Sequence, residues 1–451
     1  MLSQLSQIRF LLVLLAFVAL ASCKKDPELN QSTVDKQLMD QLTDASPQGD
    51  HLFFQQPQSD DFDRIPQDPR NELSRDRVAL GQALYHETQL AINPKYADGK
   101  YSYSCASCHH AAAGFQAGLR QGIADGGWGF GYAGEARLPH PNYSLDSLDV
   151  QPIRTPTTLN AAYQDVMLWN GQFGATGTNA GTEAAWTANT PKAENSFGYE
   201  GVEIQAIAGL KVHRMGIGPE ITSNKEYQRM FERAFPQVKS DELFSRENAG
   251  LAIAAYERTL LPNQAPFQAW LAGNFQAMTD QQKQGALLFF GKAKCVGCHT
   301  GPALNCMQFH ALGMPDLLGS GIYGSGQEKA EHLGRGGFTG NAEDNFKFKV
   351  PQLYNLKDNP FYGHGGTFTS VREVIEYKNE GYAGNSAVDV NQLSAQFKPL
   401  DLTDDEVTAL VEFVEGALYD EELVRYLPTS LPSGACFPNS DPKSRQDLHC
   451  N

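Results

Sequence analysis

The chain has 451 residues, with only 36 lysines and arginines against 52 aspartates and glutamates, a formal charge of −16. No basic run offsets this deficit. Nucleic acid and anionic membrane surfaces are disfavoured as partners, and a basic protein is favoured. Long apolar runs are equally scarce: the longest, Phe10 to Leu20, is too short to span a bilayer comfortably. Alternating strand patterns are too weak to argue for a large sheet, so the expected fold class is mostly α. Methionine is absent after Met314. What is present, 41% hydrophobic and 10% aromatic residues, is ordinary for a globular chain long enough for two or three domains.

Met1 to Ser22 reads as an export signal, with Arg9 as the positive flank of the apolar run. Leu20-Ala21-Ser22-Cys23 resembles the bacterial lipobox, in which cleavage before the cysteine leaves it acylated; an A-x-A-like cleavage site is the alternative. On the lipobox reading Cys23 is a lipid anchor, and Lys24 after it points to the outer membrane, facing the bacterial periplasm. Residues 23–70, rich in Gln, Asp and Pro with little periodicity, read as a flexible tether.

Cys105-Ala106-Ser107-Cys108-His109 and Cys295-Val296-Gly297-Cys298-His299 repeat one pattern, C-x-x-C-H. This is the attachment signature of c-type haem. Two thiols three positions apart reach both vinyl groups of one porphyrin, and the next imidazole, His109 or His299, lies under the iron as proximal ligand. A four-thiolate zinc site is the competing reading, but it has no use for a histidine after each pair. Two covalently bound haems c are therefore expected, and export agrees, because bacteria attach such haem outside the cytoplasm. Cys306, Cys436 and Cys450 remain. In an oxidising compartment Cys436 and Cys450 are able to close a small loop, leaving Cys306 buried or unpaired.

Each haem motif follows a helical pattern. Ser74 is an N-cap before Val78, Leu80, Leu84 and Tyr85, and Thr279 to Gln282 is a capping box before Leu287 to Phe290. Gly81-x-x-Leu84-Tyr85 and Gly285-x-x-Leu288-Phe289 stand at matching places, as a close helix crossing requires. They suggest an internal duplication of a cytochrome c unit. Thr403 to Glu406 opens a further helix carrying Val407, Leu410, Val411, Val414 and Leu418. The expected organisation is a first cytochrome c-like domain over 71–275, a second over 276–430 and a tail over 431–451. Long loops are expected through Gly126 to Tyr132, 172–199 and 313–346.

Several segments together resemble the bacterial di-haem cytochrome c peroxidase/MauG family. They are Val78 to Gly81 with Ser102 to Ser104, Arg154 to Asn160, Leu168 to Gly171, Phe348 to Pro351 with Leu353 and Asn355, Asn359 to Gly365, and Val371 to Ile375. The resemblance covers roughly residues 65–425 and is specific because it embeds both haem motifs in order. It implies two cytochrome c-like domains, each with one covalently bound haem c. It further implies hydrogen peroxide as the reactant at the first haem, and a small cytochrome or copper protein feeding electrons through the second. A calcium ion between the domains and a homodimer are implied in the same way. A MauG-like oxidase acting on a protein or organic substrate is the alternative, and a non-catalytic outer-membrane electron carrier is a third reading.

The resemblance also assigns residues. Trp169 stands where the family places a tryptophan between the haems. Gln205 matches the glutamine of the reactive side of the first haem, but no carboxylate precedes Met215 as it does in the peroxidases. His213 is then the candidate base and Arg214 the candidate partner of charge developing on the leaving oxygen, with Glu203 or a water as the next candidate base. His110 reads as a surface or supporting residue. His140, the only histidine in the loop where the peroxidases keep one, reads as a surface residue, leaving the first haem open. For the sixth ligand of the second haem, counting from Pro360 gives Tyr377 and counting from Val371 gives Lys378. Tyr377 is preferred, because MauG uses a tyrosine and an amine must lose its proton to bind.

Overall fold

The computed structural model describes residues 31–450, so the export signal over 1–22 and the lipid anchor at Cys23 lie outside the described residues. Helix α1 (Thr33–Ala45) opens on a capping box between Ser32 and Asp35 and buries Leu38 and Leu42 completely. Its buried Asp35 carboxylate accepts hydrogen bonds from Lys283 Nζ and Trp270 Nε1, both at 2.8 Å. Further along, Phe54 enters the same core, and the Gln56 side-chain amide donates to Asn160 and to the Pro302 carbonyl. Residues 33–70 are thus a packed strap, which corrects the expected tether. What orders the strap is contact with residues 100 or more positions away, and a search for local periodicity does not detect that.

Two helical units follow. The first gathers α2 (Arg75–His86), α3 (Gly201–Val212), α4 (Lys225–Ala234) and α5 (Arg246–Arg258) around Leu80, Leu84, Tyr103, Ile207 and Ile253. The second gathers α1, α6 (Pro266–Leu271), α7 (Asp280–Phe290), α8 (Val371–Glu380) and α9 (Asp404–Val411) around Trp270, Phe289, Phe413 and Leu418. α9 runs on as a widened turn over Glu412–Ala417. Ala265, Phe267 and Trp270 lie in the second core, ahead of the boundary expected after residue 275. Leu423 and Tyr426 return to the first core, and Tyr256 Oη donates to the Tyr426 carbonyl at 2.9 Å.

The caps form as the sequence suggests. Ser74 Oγ accepts from Arg77 N–H, and Thr279 and Thr403 each close a capping box. The two glycines mark equivalent crossings. A Cβ on Gly81 would overlap the Ala252 carbonyl of α5 and lie 2.9 Å from Tyr256 Cβ. On Gly285 it would overlap the Ala409 carbonyl of α9 and lie 2.8 Å from Phe413 Cβ. In both units, then, the helix before the haem motif packs backbone to backbone against a later helix.

Sheet is confined to two small antiparallel pairs among the described residues. β1 (Gly127–Trp128) pairs with β2 (Leu138–Pro139), and β3 (Phe309–Ala311) pairs with β4 (Lys347–Lys349), His310 opposite Phe348. The tail carries α10 (Pro442–Asp447), and a disulfide joins Cys436 to Cys450. This tail fastens onto the first haem motif. Ser104 Oγ donates to the Pro438 carbonyl, Ser440 N–H donates to the Ser102 carbonyl, and buried Arg137 pairs with Asp441. No helix among the described residues is long and apolar enough to cross a membrane.

Candidate functional site

Each C-x-x-C-H motif is one 3₁₀ turn, Cys105–Ser107 in the first unit and Cys295–Gly297 in the second. The turn is closed by the second cysteine's N–H on the first cysteine's carbonyl, at 3.2 and 3.1 Å. The histidine N–H bonds the same carbonyl, at 3.1 Å for His109 and 2.9 Å for His299. His109 Nδ1 lies 3.3 Å from the Phe115 carbonyl, and His299 Nδ1 lies 3.0 Å from that of Leu304 and 3.1 Å from that of Pro351. A ring N–H given to a carbonyl leaves the Nε2 lone pair for a metal. Burial pushes both imidazoles down to about 4, so they rest neutral. The four motif thiols form no disulfide, and burial pushes those of Cys108 and Cys295 up to about 12. The two thiol pairs do not converge on one metal cage among the described residues, which disposes of the zinc reading.

The second motif opens into a cavity of about 750 Å³. Cys295, Cys298 and His299 line it, with Leu353, Val374 and Phe397 among its apolar walls. That size and lining suit a flat apolar group held by a few convergent polar atoms, and a haem fits. The cavity crosses into the first unit, where Gln116, Met167 and Trp169 line it. Trp169 Nε1 donates to the Arg154 carbonyl at 2.9 Å, and its ring stands edge-on to His364 with centroids 6.4 Å apart. His364 in turn stacks on Phe348 at 3.6 Å. Trp169 therefore occupies the junction of the two units. Lys378 lines the cavity and Tyr377 does not. Tyr377 Oη donates to the Leu312 carbonyl at 2.6 Å, which corrects its preferred assignment as a ligand. Met314 also lines the cavity, a position outside the stretch where the sequence comparison sought a ligand.

Near the first motif, α3 carries Gln205, whose Oε1 is buried without a hydrogen-bond partner. His213 caps the end of α3, and its positive charge is felt at His109. His213 Nδ1 lies 2.9 Å from Asp149 Oδ2. Burial opposes charge on this ring, but Asp149 outweighs it and raises the pKa above the ordinary histidine value. Arg214 is bound to the buried Asp125 carboxylate and donates to the Ser147 carbonyl, so its charge is committed there and not to a leaving oxygen. Glu203, the fallback base, is fully buried under Arg258 at 2.6 Å and accepts from Asn71. Glu257 escaped the sequence reading, which found no motif around it. Burial pushes this carboxyl up to about 8, its Oε2 has no partner, and its charge acts on Cys105.

Two other histidines differ from expectation or take a defined place. His110 is 4% exposed and edge-on to Phe130, not at the surface, with both ring nitrogens unpartnered. His140 packs edge-on to Trp128 and Tyr143, and its Nδ1 accepts from Asn142 N–H.

Residues 75–276, from α2 through the segment before the second unit's motif helix, match the family model of di-haem cytochrome c peroxidase. Over these residues the chain is similar to the di-haem cytochrome c peroxidase family. The cytochrome-c peroxidase IdrP1 of Denitromonas iodatirespirans is 28% identical over 80% of this chain and 86% of its own length. The methylamine utilization protein MauG of Methylorubrum extorquens is 27% identical over 80% of this chain and 82% of its own. Among solved structures, a MauG-like protein associated with microbial copper homeostasis superposes with a TM-score of 0.55. It shares 22% identity over 81% of this chain and 95% of that one, a likeness of fold. Similarity to this family implies two haems c, and both motifs have the residues to hold them.

The calcium implied by the resemblance to di-haem peroxidases fits less well. At the junction, Arg120 donates to the Gly365, Leu318 and Asp316 carbonyls. Arg154 donates to the Leu119 and Arg120 carbonyls and to Gln116 Oε1. These oxygens are of the type calcium takes, and guanidinium groups already use them. No cluster of three acidic or other ligating side chains stands among the described residues.

Proposed function

We propose that this protein reduces hydrogen peroxide at the haem on Cys105 and Cys108, with electrons entering through the haem on Cys295 and Cys298. The donor is a small reduced cytochrome or copper protein, and the acidic chain favours a basic one. The observation that carries this reading is the pair of equivalent haem turns, with Trp169 of the first unit lining the cavity of the second. When bound, the first haem supplies an open iron position for peroxide and the second an electron store. Gln205 offers a free amide oxygen toward the reactive side, and His213 offers Nε2 while Asp149 orients its ring. A base so held moves the proton between the two peroxide oxygens.

A MauG-like oxidase acting on a protein or organic substrate is the second reading. It is favoured by the missing carboxylate before Met215, where Arg214 stands tied to Asp125. Both readings place the chain in the periplasm, held by acylated Cys23 at the outer membrane, and Cys23→Ala should yield a soluble protein.

Turnover of peroxide with a reduced donor cytochrome decides between the readings. The peroxidase reading expects two haems per chain by pyridine haemochrome and fast peroxide-dependent donor oxidation. Slow turnover with long-lived oxidising equivalents would favour the oxidase. Two haems with no reaction toward peroxide would leave an electron carrier.

A further inference from the structure

We propose that the Lys378 amine is the second axial ligand of the haem on Cys295 and Cys298, with His299 as the first. This rests on the two-haem reading above and assigns a nitrogen–nitrogen pair to the second site.

The argument starts from the face of α8. Val371, Val374, Ile375 and Lys378 line the cavity, and their spacing of three, one and three residues is a single helical stripe. Lys378 is the only polar side chain on that stripe. Tyr377 is rotated by about 100° from it, as adjacent helical residues are. Its ring lies against Phe368 and Phe397, and its hydroxyl is held by the Leu312 carbonyl and the Gly384 N–H. It cannot turn into the cavity without breaking both bonds.

Among the described residues Lys378 Nζ makes no hydrogen bond and no salt bridge, and the Phe397 ring lies 5.5 Å away. Cys295, Cys298 and His299 line the same cavity, so Lys378 shares that wall with the motif. A half-buried amine donor with no hydrogen-bond or ion-pair partner among the described residues is costly in an apolar wall. A neutral amine carries a free lone pair, and ligation to iron satisfies it.

Lys294 and Lys398 reach the wall from exposed positions, and several other nitrogen and oxygen donors there are held elsewhere. His310 gives its nitrogens to Ser394 and Gln308, His364 is bound to Asp316, and Tyr362 Oη donates to the Leu356 carbonyl. Lys349 Nζ is held by Gln164 and the Val166 carbonyl. Of the two methionines on the wall, Met167 belongs to the first unit and Met314 to the second, which makes Met314 the control.

The full chain with both haems is the test material, and haem content is measured on every variant. Lys378→Ala should keep two haems while converting the second from a low-spin to a high-spin ferric signal in electron paramagnetic resonance. Lys378→Met retains a long side chain and should create a methionine-to-iron charge-transfer band absent from the wild type, with a raised potential at the second haem. Tyr377→Phe and Met314→Leu should leave the second haem's spectrum unchanged. A wild-type methionine band lost in Met314→Leu, or an unaltered spectrum in both Lys378 variants with two haems bound, overturns the assignment. Fewer than two haems in the wild type would instead sink the two-haem reading on which it rests.

Discussion

His213 leaves α3 with Nδ1 on the Asp149 carboxylate, so only Nε2 is free for a reacting proton. Because Asp149 raises the pKa against burial, the ring is protonated over a wider range than a free histidine. A base must be neutral, so the peroxide reaction should speed up as pH rises through this raised pKa. In Asp149→Asn the carboxylate charge vanishes while burial remains, and that limb of the pH–rate profile should move to lower pH. His213→Ala should slow the reaction roughly a hundredfold or more with haem content unchanged. A profile that does not move in Asp149→Asn would place the base elsewhere, with Glu257 next in line. The stability of the pair has the opposite sense: it is full below the unfolded histidine pKa and is lost as pH climbs through the folded one. At this scale the sequence resolved ligand types but not orientations. Counting gave two adjacent candidates for a sixth ligand, Tyr377 and Lys378, and the cavity-lining stripe Val371, Val374, Ile375, Lys378 includes only the second.

Helix crossings tie the motifs to their cores, and Gly81 and Gly285 are where the tolerance is least. An added methyl at either site meets a backbone carbonyl, which cannot rotate away as a side-chain end would. Gly81→Ala should cost at least about 1–3 kcal/mol, the usual range for overpacking, and Gly285→Ala should cost a similar amount. Chemical denaturation would read this. A change below ~0.5 kcal/mol at either glycine would argue against a shared crossing geometry. These elements were legible because their signals are local: a capping side chain, a glycine, and large apolar residues one turn on. The strap was not legible, since α1 is held by Asp35 meeting Lys283 and Trp270 far along the chain. The tail was legible in its cysteines alone. That it grips the first haem motif through Pro438, and the loop after it through Asp441, depends on a fold-back for which sequence has no marker.

Across the whole molecule, the proposed electron transfer between the two sites needs the units to keep a fixed distance, and two arginines bridge the junction. Arg120 reaches from the first unit to three carbonyls of the second, and buried Arg154 gathers Leu119, Arg120 and Gln116 behind it. The Arg154 main chain continues the link, since its N–H donates to the His364 carbonyl at 2.9 Å and its carbonyl accepts from Trp169. Neither guanidinium has an ion-pair partner among the described residues, and burial lowers the pKa of both, that of Arg154 to about 9. Five fixed N–H donors on a planar cation can satisfy converging carbonyl dipoles much as a small cation would. Dialysis against a calcium chelator should therefore leave thermal midpoint, haem spectra and turnover unchanged. Arg120→Ala should cost about 1.5–3 kcal/mol, the scale of a hydrogen bond to a charged group, and slow electron exchange between the haems while each haem keeps its own spectrum. Chelator-induced loss of activity that added calcium restores would show that an ion, and not this pair of arginines, holds the junction.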